Sequence, residues 1–164
     1  MSGYRLYGTT GWGSALVEAQ LTWYGLPFDT ENVGNLFTSE EARARLSGIN
    51  PLAQVPTLVL PDGTVMTESV AITLLLADGG NARSLVPSAG DALRPQFLRW
   101  LVFLVANVYP TFTYADDPAR FVADEASRPE FATRVNAYRE RLWLMVESAA
   151  GAPWFCGNVM TALD

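Results

Sequence analysis

Histidine does not occur in this sequence, and its absence removes several mechanisms at once. Ser-His-Asp triads, histidine general bases and histidine-ligated metals all need an imidazole. Cysteine occurs once, at Cys156, so no intrachain disulfide can form and no Cys-x-x-Cys dithiol exists. A lone thiol fits a reducing cytoplasm, and Cys156 reads as a small buried hydrophobe. Basic runs are missing too: 11 Lys and Arg stand against 17 Asp and Glu, a net charge of −6. That balance argues against nucleic acid or an anionic membrane as a partner. No apolar run approaches the roughly 20 residues that a spanning helix needs. Met1 to Arg5 lacks the apolar core of a secretory signal. Internal repeats and low-complexity tracts are absent. The expectation is a soluble, cytoplasmic protein.

What remains is a globular composition. Apolar residues make up 49% and charged residues 17% of 164 positions, which argues against disorder. The length allows one solid core or two small abutting domains. Tyr4 to Gly8 is a short strand candidate, and Ser14 to Tyr24 places Leu16, Val17, Leu21 and Tyr24 at helical spacing before a Gly25 stop. Phe28 to Val33 reads as a second strand, and Ser39-Glu40-Glu41 opens a short helix ending near Gly48. Residues 79–91 are rich in turn formers and read as a linker between a 1–78 domain and a helical 92–164 domain. In the latter, Asp91 is expected to cap a helix that is apolar almost all round from Phe97 to Val108, and Pro110 to bend or end it. Phe131, Val135, Tyr138, Leu142 and Met145 mark an amphipathic helix. Thr161 to Asp164 reads as a capping box with no helix behind it. The helical half is therefore expected to be incomplete and to leave apolar surface uncovered.

Residues 49–72 carry the most information. Asn50-Pro51 is a turn signal. Thr57 to Leu60 and Thr64 to Thr67 flank Pro61-Asp62-Gly63, which predicts a hairpin. Ser69 precedes Val70, Ala71, Ile72, Leu74, Leu75 and Leu76 and is a favourable N-cap for a buried helix. The free N–H groups at such a start attract a carboxylate, and Glu68 can hold an ammonium group beside it. A ligand with an amino group and a carboxylate on one carbon satisfies both. Pro56, just before a strand, is a candidate cis residue. In that geometry the Val55 N–H and C=O point outward, free to pair with an extended peptide. The plainer alternative is that Pro56 starts an edge strand and Ser69 only caps a helix.

From Ile49-Asn50-Pro51 through Gln54-Val55-Pro56-Thr57-Leu58 to Glu68-Ser69-Val70-Ala71-Ile72, the chain resembles the cytosolic glutathione transferases, bacterial type. The resemblance implies an α/β thioredoxin-like domain (βαβ-α-ββα) followed by an all-α domain, homodimeric when full length. It also implies that Val55 pairs with the cysteinyl backbone of glutathione, and that Glu68 and Ser69 hold the γ-glutamyl amine and carboxylate. Trp12, Gln54 and Pro56 complete the glutathione-binding set. Glutathione would be a co-substrate, no metal would be needed, and the second substrate would be a small apolar electrophile.

Such chemistry needs a thiolate near neutral pH, where a thiol of pKa about 8.5 is mostly protonated. A donor aimed at sulfur is therefore required, and the family places it in the loop matching Gly8-Thr9-Thr10-Gly11-Trp12-Gly13-Ser14. Here the sequence departs from the pattern. Gly8 stands at the usual tyrosine position, Gly11 near the usual serine and Gly13 at the usual cysteine. Thr9, Thr10, Ser14 and the loop's backbone N–H groups are what is left. Ser14 has an alternative role as N-cap of the first helix, and Trp12 has two open roles, walling the site or packing. Tyr7 reads as core. Tyr109, Phe112 and Tyr114 are candidates for an electrophile pocket between the domains, or for core. Asp116-Asp117-Pro118 reads as a solvated turn. Three functions fit: conjugation of glutathione, a glutathione-dependent peroxidase or isomerase, and a non-catalytic glutathione-binding or protein-interaction module.

Overall fold

The structure is a computed structural model that describes residues 3–79 and 84–164. It divides into two compact units, Met1–Ser84 and Leu85–Asp164. Of the stretch expected as a linker, residues 80–83 lie outside the described residues. Leu85 and Val86 are buried in the second unit, where the Leu85 carbonyl accepts from the Ala162 N–H at 2.8 Å.

In the first unit β1 (Tyr4–Gly8), α1 (Ser14–Trp23), β2 (Phe28–Asn32), α2 (Glu40–Ser47), β3 (Thr57–Val59), β4 (Val65–Met66) and α3 (Ser69–Asp78) follow the expected thioredoxin-like order. The four strands lie in the order β2-β1-β3-β4. β1 and β2 are parallel, whereas β3 is antiparallel to both β1 and β4. Local signals explain most boundaries. Gly25 takes φ +65° behind α1, a conformation glycine adopts without steric cost. The Ser39 hydroxyl accepts from the Ala42 N–H at 3.1 Å and caps α2. In the hairpin, Asp62 accepts from the Thr64 N–H at 2.8 Å. The hydrogen bonds from Thr64 hold the Asp62 carboxyl below its usual range.

Strand alternation sorts the core into two sides. Tyr7 joins Val33, Leu36, Ala42 and Leu46 in one buried cluster with α2. Leu6, in register with Leu58, faces the other side. There α1 packs against β1 and α3 and buries Val17, Leu21, Ile72 and Leu76.

The second unit is helical: α4 (Arg94–Phe103), a π turn (Leu104–Val108), α5 (Tyr109–Asp116) and α6 (Arg128–Ala149), with 3-10 turns at Pro118–Arg120 and Glu125–Ser127. Three expectations change here. Asp91 does not cap α4; it accepts from the Leu93 N–H at 2.8 Å and so closes the turn ahead of the helix. Pro110 does not end the helix. The chain widens into a π turn just before it, with the Tyr109 N–H reaching the Leu104 carbonyl. Proline lacks an N–H and its ring crowds the carbonyl four residues back, and a wide turn accommodates both. The helix is also not buried all round: Phe97, Trp100, Leu101 and Val108 are buried, but Val102 is 48% exposed. On α6 only Leu142 is buried. Tyr138, Trp143, Leu144 and Met145 are exposed.

The Thr161 capping box is formed: the Thr161 N–H donates to the Asp164 carboxylate at 2.9 Å. Among the described residues, no helix is long and apolar enough to cross a membrane.

Candidate functional site

Pairing within the sheet decides which loops share an end. Tyr7 is opposite Thr57, so the loop after Gly8 begins beside Pro56. Leu58 is opposite Met66 in an antiparallel pair, which returns the chain after Met66 to that same end. The β1–α1 loop, the segment before β3 and the start of α3 therefore converge on one edge of the first unit.

The segment before β3 is fixed by buried polar groups. Asn50, 4% exposed, donates from Nδ2 to the Gln54 carbonyl and to Thr57 Oγ1, both at 3.0 Å. Its Oδ1 accepts from the Leu52 N–H at 3.1 Å, and Thr57 Oγ1 donates to the Gln54 carbonyl at 2.8 Å. The Gln54 side chain is exposed, while its carbonyl is committed to this network. Val55-Pro56 is a cis peptide. The Val55 side chain packs on the Tyr7 cluster, and its backbone N–H and C=O have no hydrogen-bond partner among the described residues. The sequence marks Asn50 only as a turn signal and Thr57 only as the start of a strand. Their burial is what identifies them as the loop's scaffold.

At α3 the capping assignment needs correction. Ser69 is the first helical residue, and Glu68 occupies the N-cap position with φ +65° and no side-chain cap bond. Positive φ at a non-glycine residue is a strained conformation that the surroundings must impose. It leaves the Glu68 side chain exposed at the entrance to the helix.

Ser14 needs the same correction. Gly13 holds the N-cap position of α1 and no side chain caps it. The buried Ser14 hydroxyl instead accepts from the Thr9 N–H at 3.2 Å and donates to the Thr9 carbonyl at 3.3 Å. The Thr9 hydroxyl donates to the Gly34 carbonyl at 2.8 Å. Thr10 is exposed, and no hydrogen bond engages its hydroxyl among the described residues. Trp12 packs on the Tyr7 cluster and against Phe37 at 4.9 Å between ring centroids, so packing is part of its role.

Gly8 cannot carry a side chain as the loop stands. A Cβ there would fall on the Ser14 hydroxyl and 2.5 Å from the Ser14 Cβ. Gly8→Tyr is accordingly expected to destabilise the protein by about 1–3 kcal/mol through overpacking, and thermal melts check it.

Cys156 lies in the second unit and is buried. Burial pushes its thiol up, a Thr161 hydrogen bond works against that, and the Asp164 charge adds to it. A thiol so placed stays protonated at neutral pH. Tyr109 and Phe112 stack edge to face at 6.2 Å, whereas Tyr114 pairs with Phe121 at 4.8 Å. The three aromatics thus fall into two separate pairs, the second completed by Phe121. Burial also pushes the Tyr109 phenol up.

Over residues 17–78 the chain matches the family model described as glutathione S-transferase, N-terminal domain. It is 39% identical over 161 residues to the uncharacterized GST-like protein YncG of Escherichia coli K12, covering 98% of this chain and 77% of that protein. The chain belongs to the glutathione S-transferase family. Glutathione S-transferase GstA of Escherichia coli O157:H7 is 32% identical over 117 residues, 71% of this chain and 55% of that protein. A Sulfitobacter glutathione transferase homolog, crystallised with bound glutathione, superposes with a TM-score of 0.89 at 23% identity, over 99% of this chain and 77% of that one.

Proposed function

We propose that the protein binds glutathione along residues 54–69 and conjugates it to a small apolar electrophile. The observation that carries this reading is the Val55 backbone, unpartnered among the described residues, at the same end of the sheet as the α3 start and Glu68. An extended cysteinyl-glycine backbone would add to Val55 as a strand does. The γ-glutamyl carboxylate would take the free N–H groups of α3 and the Ser69 hydroxyl, and its ammonium would sit against Glu68. Trp12, Gln54 and Pro56 border that path. The bound-glutathione structure of the Sulfitobacter homolog supports the ligand.

Chemistry then depends on thiolate supply. A free thiol of pKa about 8.5 is about 3% ionised at pH 7; lowering it by one to two units raises that to about a quarter to three quarters. Thr9 and Ser14 hold their hydroxyls on backbone carbonyls, so the Thr10 hydroxyl is assigned as the donor, backed by the loop's N–H groups. The thiolate attacks the electrophilic carbon, an S–C bond forms, and the leaving group departs with its electron pair. Rate enhancement comes from thiolate stabilisation and proximity. Thr10→Ala is expected to lower kcat/KM for a chromogenic aryl halide by about 10- to 100-fold, the loss of one hydrogen bond to a charged sulfur, with glutathione affinity nearly unchanged. Equal rates would move the donor role to the backbone.

The glycines at 8, 11 and 13 favour one alternative, a glutathione-binding module without catalysis. Calorimetric binding with no aryl halide turnover would establish it. A cytoplasmic homodimer belongs to the same reading, and light scattering of the purified protein tests the assembly.

A further inference from the structure

Gln20 and Thr73 are polar residues in a seam that is otherwise apolar. Gln20 is 6% and Thr73 3% exposed, among Val17, Leu21, Ile72 and Leu76 of the same two helices. Thr73 Oγ1 donates to the Ser69 carbonyl at 2.8 Å, and Gln20 Nε2 of α1 donates to Thr73 Oγ1 at 3.0 Å. A hydroxyl has one proton. Since Thr73 gives its proton to Ser69, it can only accept from Gln20, which fixes the amide's orientation. The Gln20 Oε1 is then left buried with no partner among the described residues, a costly state that a leucine would avoid. A threonine bonding back one turn is ordinary within a helix and slightly weakens it. An amide from another helix, held at the expense of its own oxygen, is not ordinary.

The relay ends on one particular peptide. The Ser69 carbonyl and the Val70 N–H lie in the same planar unit, so fixing the carbonyl aims that N–H, one of the free donors of the first turn. It also steadies the residue after Glu68, whose positive φ must be imposed from outside. We infer that Gln20 and Thr73 are positioning residues for glutathione, holding the first peptide of α3 at the angle that receives the γ-glutamyl carboxylate. This rests on the glutathione-binding reading above.

The two roles, positioning and plain packing, predict opposite signs. Gln20→Leu removes the orphaned oxygen, so it should raise the melting temperature while weakening glutathione binding about three- to fivefold in calorimetry, somewhat less than a whole hydrogen bond. Thr73→Val should weaken binding about fivefold or more, and Thr73→Ser, which keeps the hydroxyl, should bind within twofold of the parent. The inference is overturned if the parent binds and both apolar variants bind within twofold of it. It is equally overturned if affinity and melting temperature fall together and serine fails to rescue. A parent that binds no glutathione overturns the functional reading itself, and this inference with it.

Discussion

Combining Glu68→Gln with Ser69→Ala is expected to weaken glutathione binding by up to about 100-fold, and each change alone by about tenfold. Each removes a hydrogen bond to a charged group, worth about 1.5–3 kcal/mol, and every 1.4 kcal/mol is a factor of ten. The two sites are adjacent, so the double variant need not reach the full product. Glutamine is the informative replacement at 68. It keeps the side-chain shape at a residue whose φ is +65° and removes only the charge that faces the ammonium. The Glu68→Gln loss should shrink as salt is raised, because the carboxylate is exposed and its attraction is screened. Glu68→Gly separates strain from recognition. It relaxes the positive-φ backbone and should lose the same affinity with no loss of melting temperature. Calorimetry on the parent and the four variants decides the matter. Double-variant binding within threefold of the parent would remove Glu68 and Ser69 from the site.

How much of this was legible in the sequence depends on the range of the interaction that fixes each feature. Gly25 behind α1, Ser39 before α2 and Pro61-Asp62-Gly63 between β3 and β4 act within a few residues, and the structure places each where its chemistry predicts. The resemblance of residues 49–72 to the transferases fixed the fold for the same reason, since its signals are contiguous. The cap role read for Ser69, and the alternative one for Ser14, miss by one position because a serine before an apolar run is ambiguous by one residue. What resolves the ambiguity is distant: the Ser14 hydroxyl is drawn back to Thr9, and Glu68 takes the strained position ahead of α3. Pro110 reads as a bend or an end because its effect on a regular α-helix is local, whereas the π turn that absorbs it lies upstream. Gln20 and Thr73 are 53 residues apart, and no periodic pattern announces such a pair. Gly8 looked like a missing catalyst; the Ser14 side chain against it shows a steric reason for glycine that has nothing to do with catalysis.

Asn50→Ala should have the largest effect on stability, about 2–4 kcal/mol, and should carry binding down with it. Asn50 makes three side-chain hydrogen bonds from a buried position, two as donor and one as acceptor. Each net bond contributes about 1 kcal/mol, and stranding a buried partner costs more. Thr57 Oγ1, wholly buried, would keep its bond to the Gln54 carbonyl but lose the Asn50 amide that satisfies its acceptor side. Alanine also leaves a small void beside Thr57. Ala53, at φ +47°, and the Val55 backbone both hang from this frame. Loosening it should therefore raise the glutathione Kd by more than the stability loss alone implies, because fewer molecules hold Val55 in the pairing geometry at any moment. Asn50→Asp is the sharper control. It preserves the shape and the acceptor to the Leu52 N–H, yet places a carboxylate against the Gln54 carbonyl. Its destabilisation should be larger at pH 7 than at pH 4, where the acid can protonate and donate. Burial and the facing carbonyl raise the folded-state pKa of that acid. A raised pKa contributes stability that is present below the unfolded value near 3.9 and lost as pH rises through the folded one. Thermal melts at the two pH values test this. A pH-independent difference from the parent would mean that the amide donors at residue 50 are not what holds the loop.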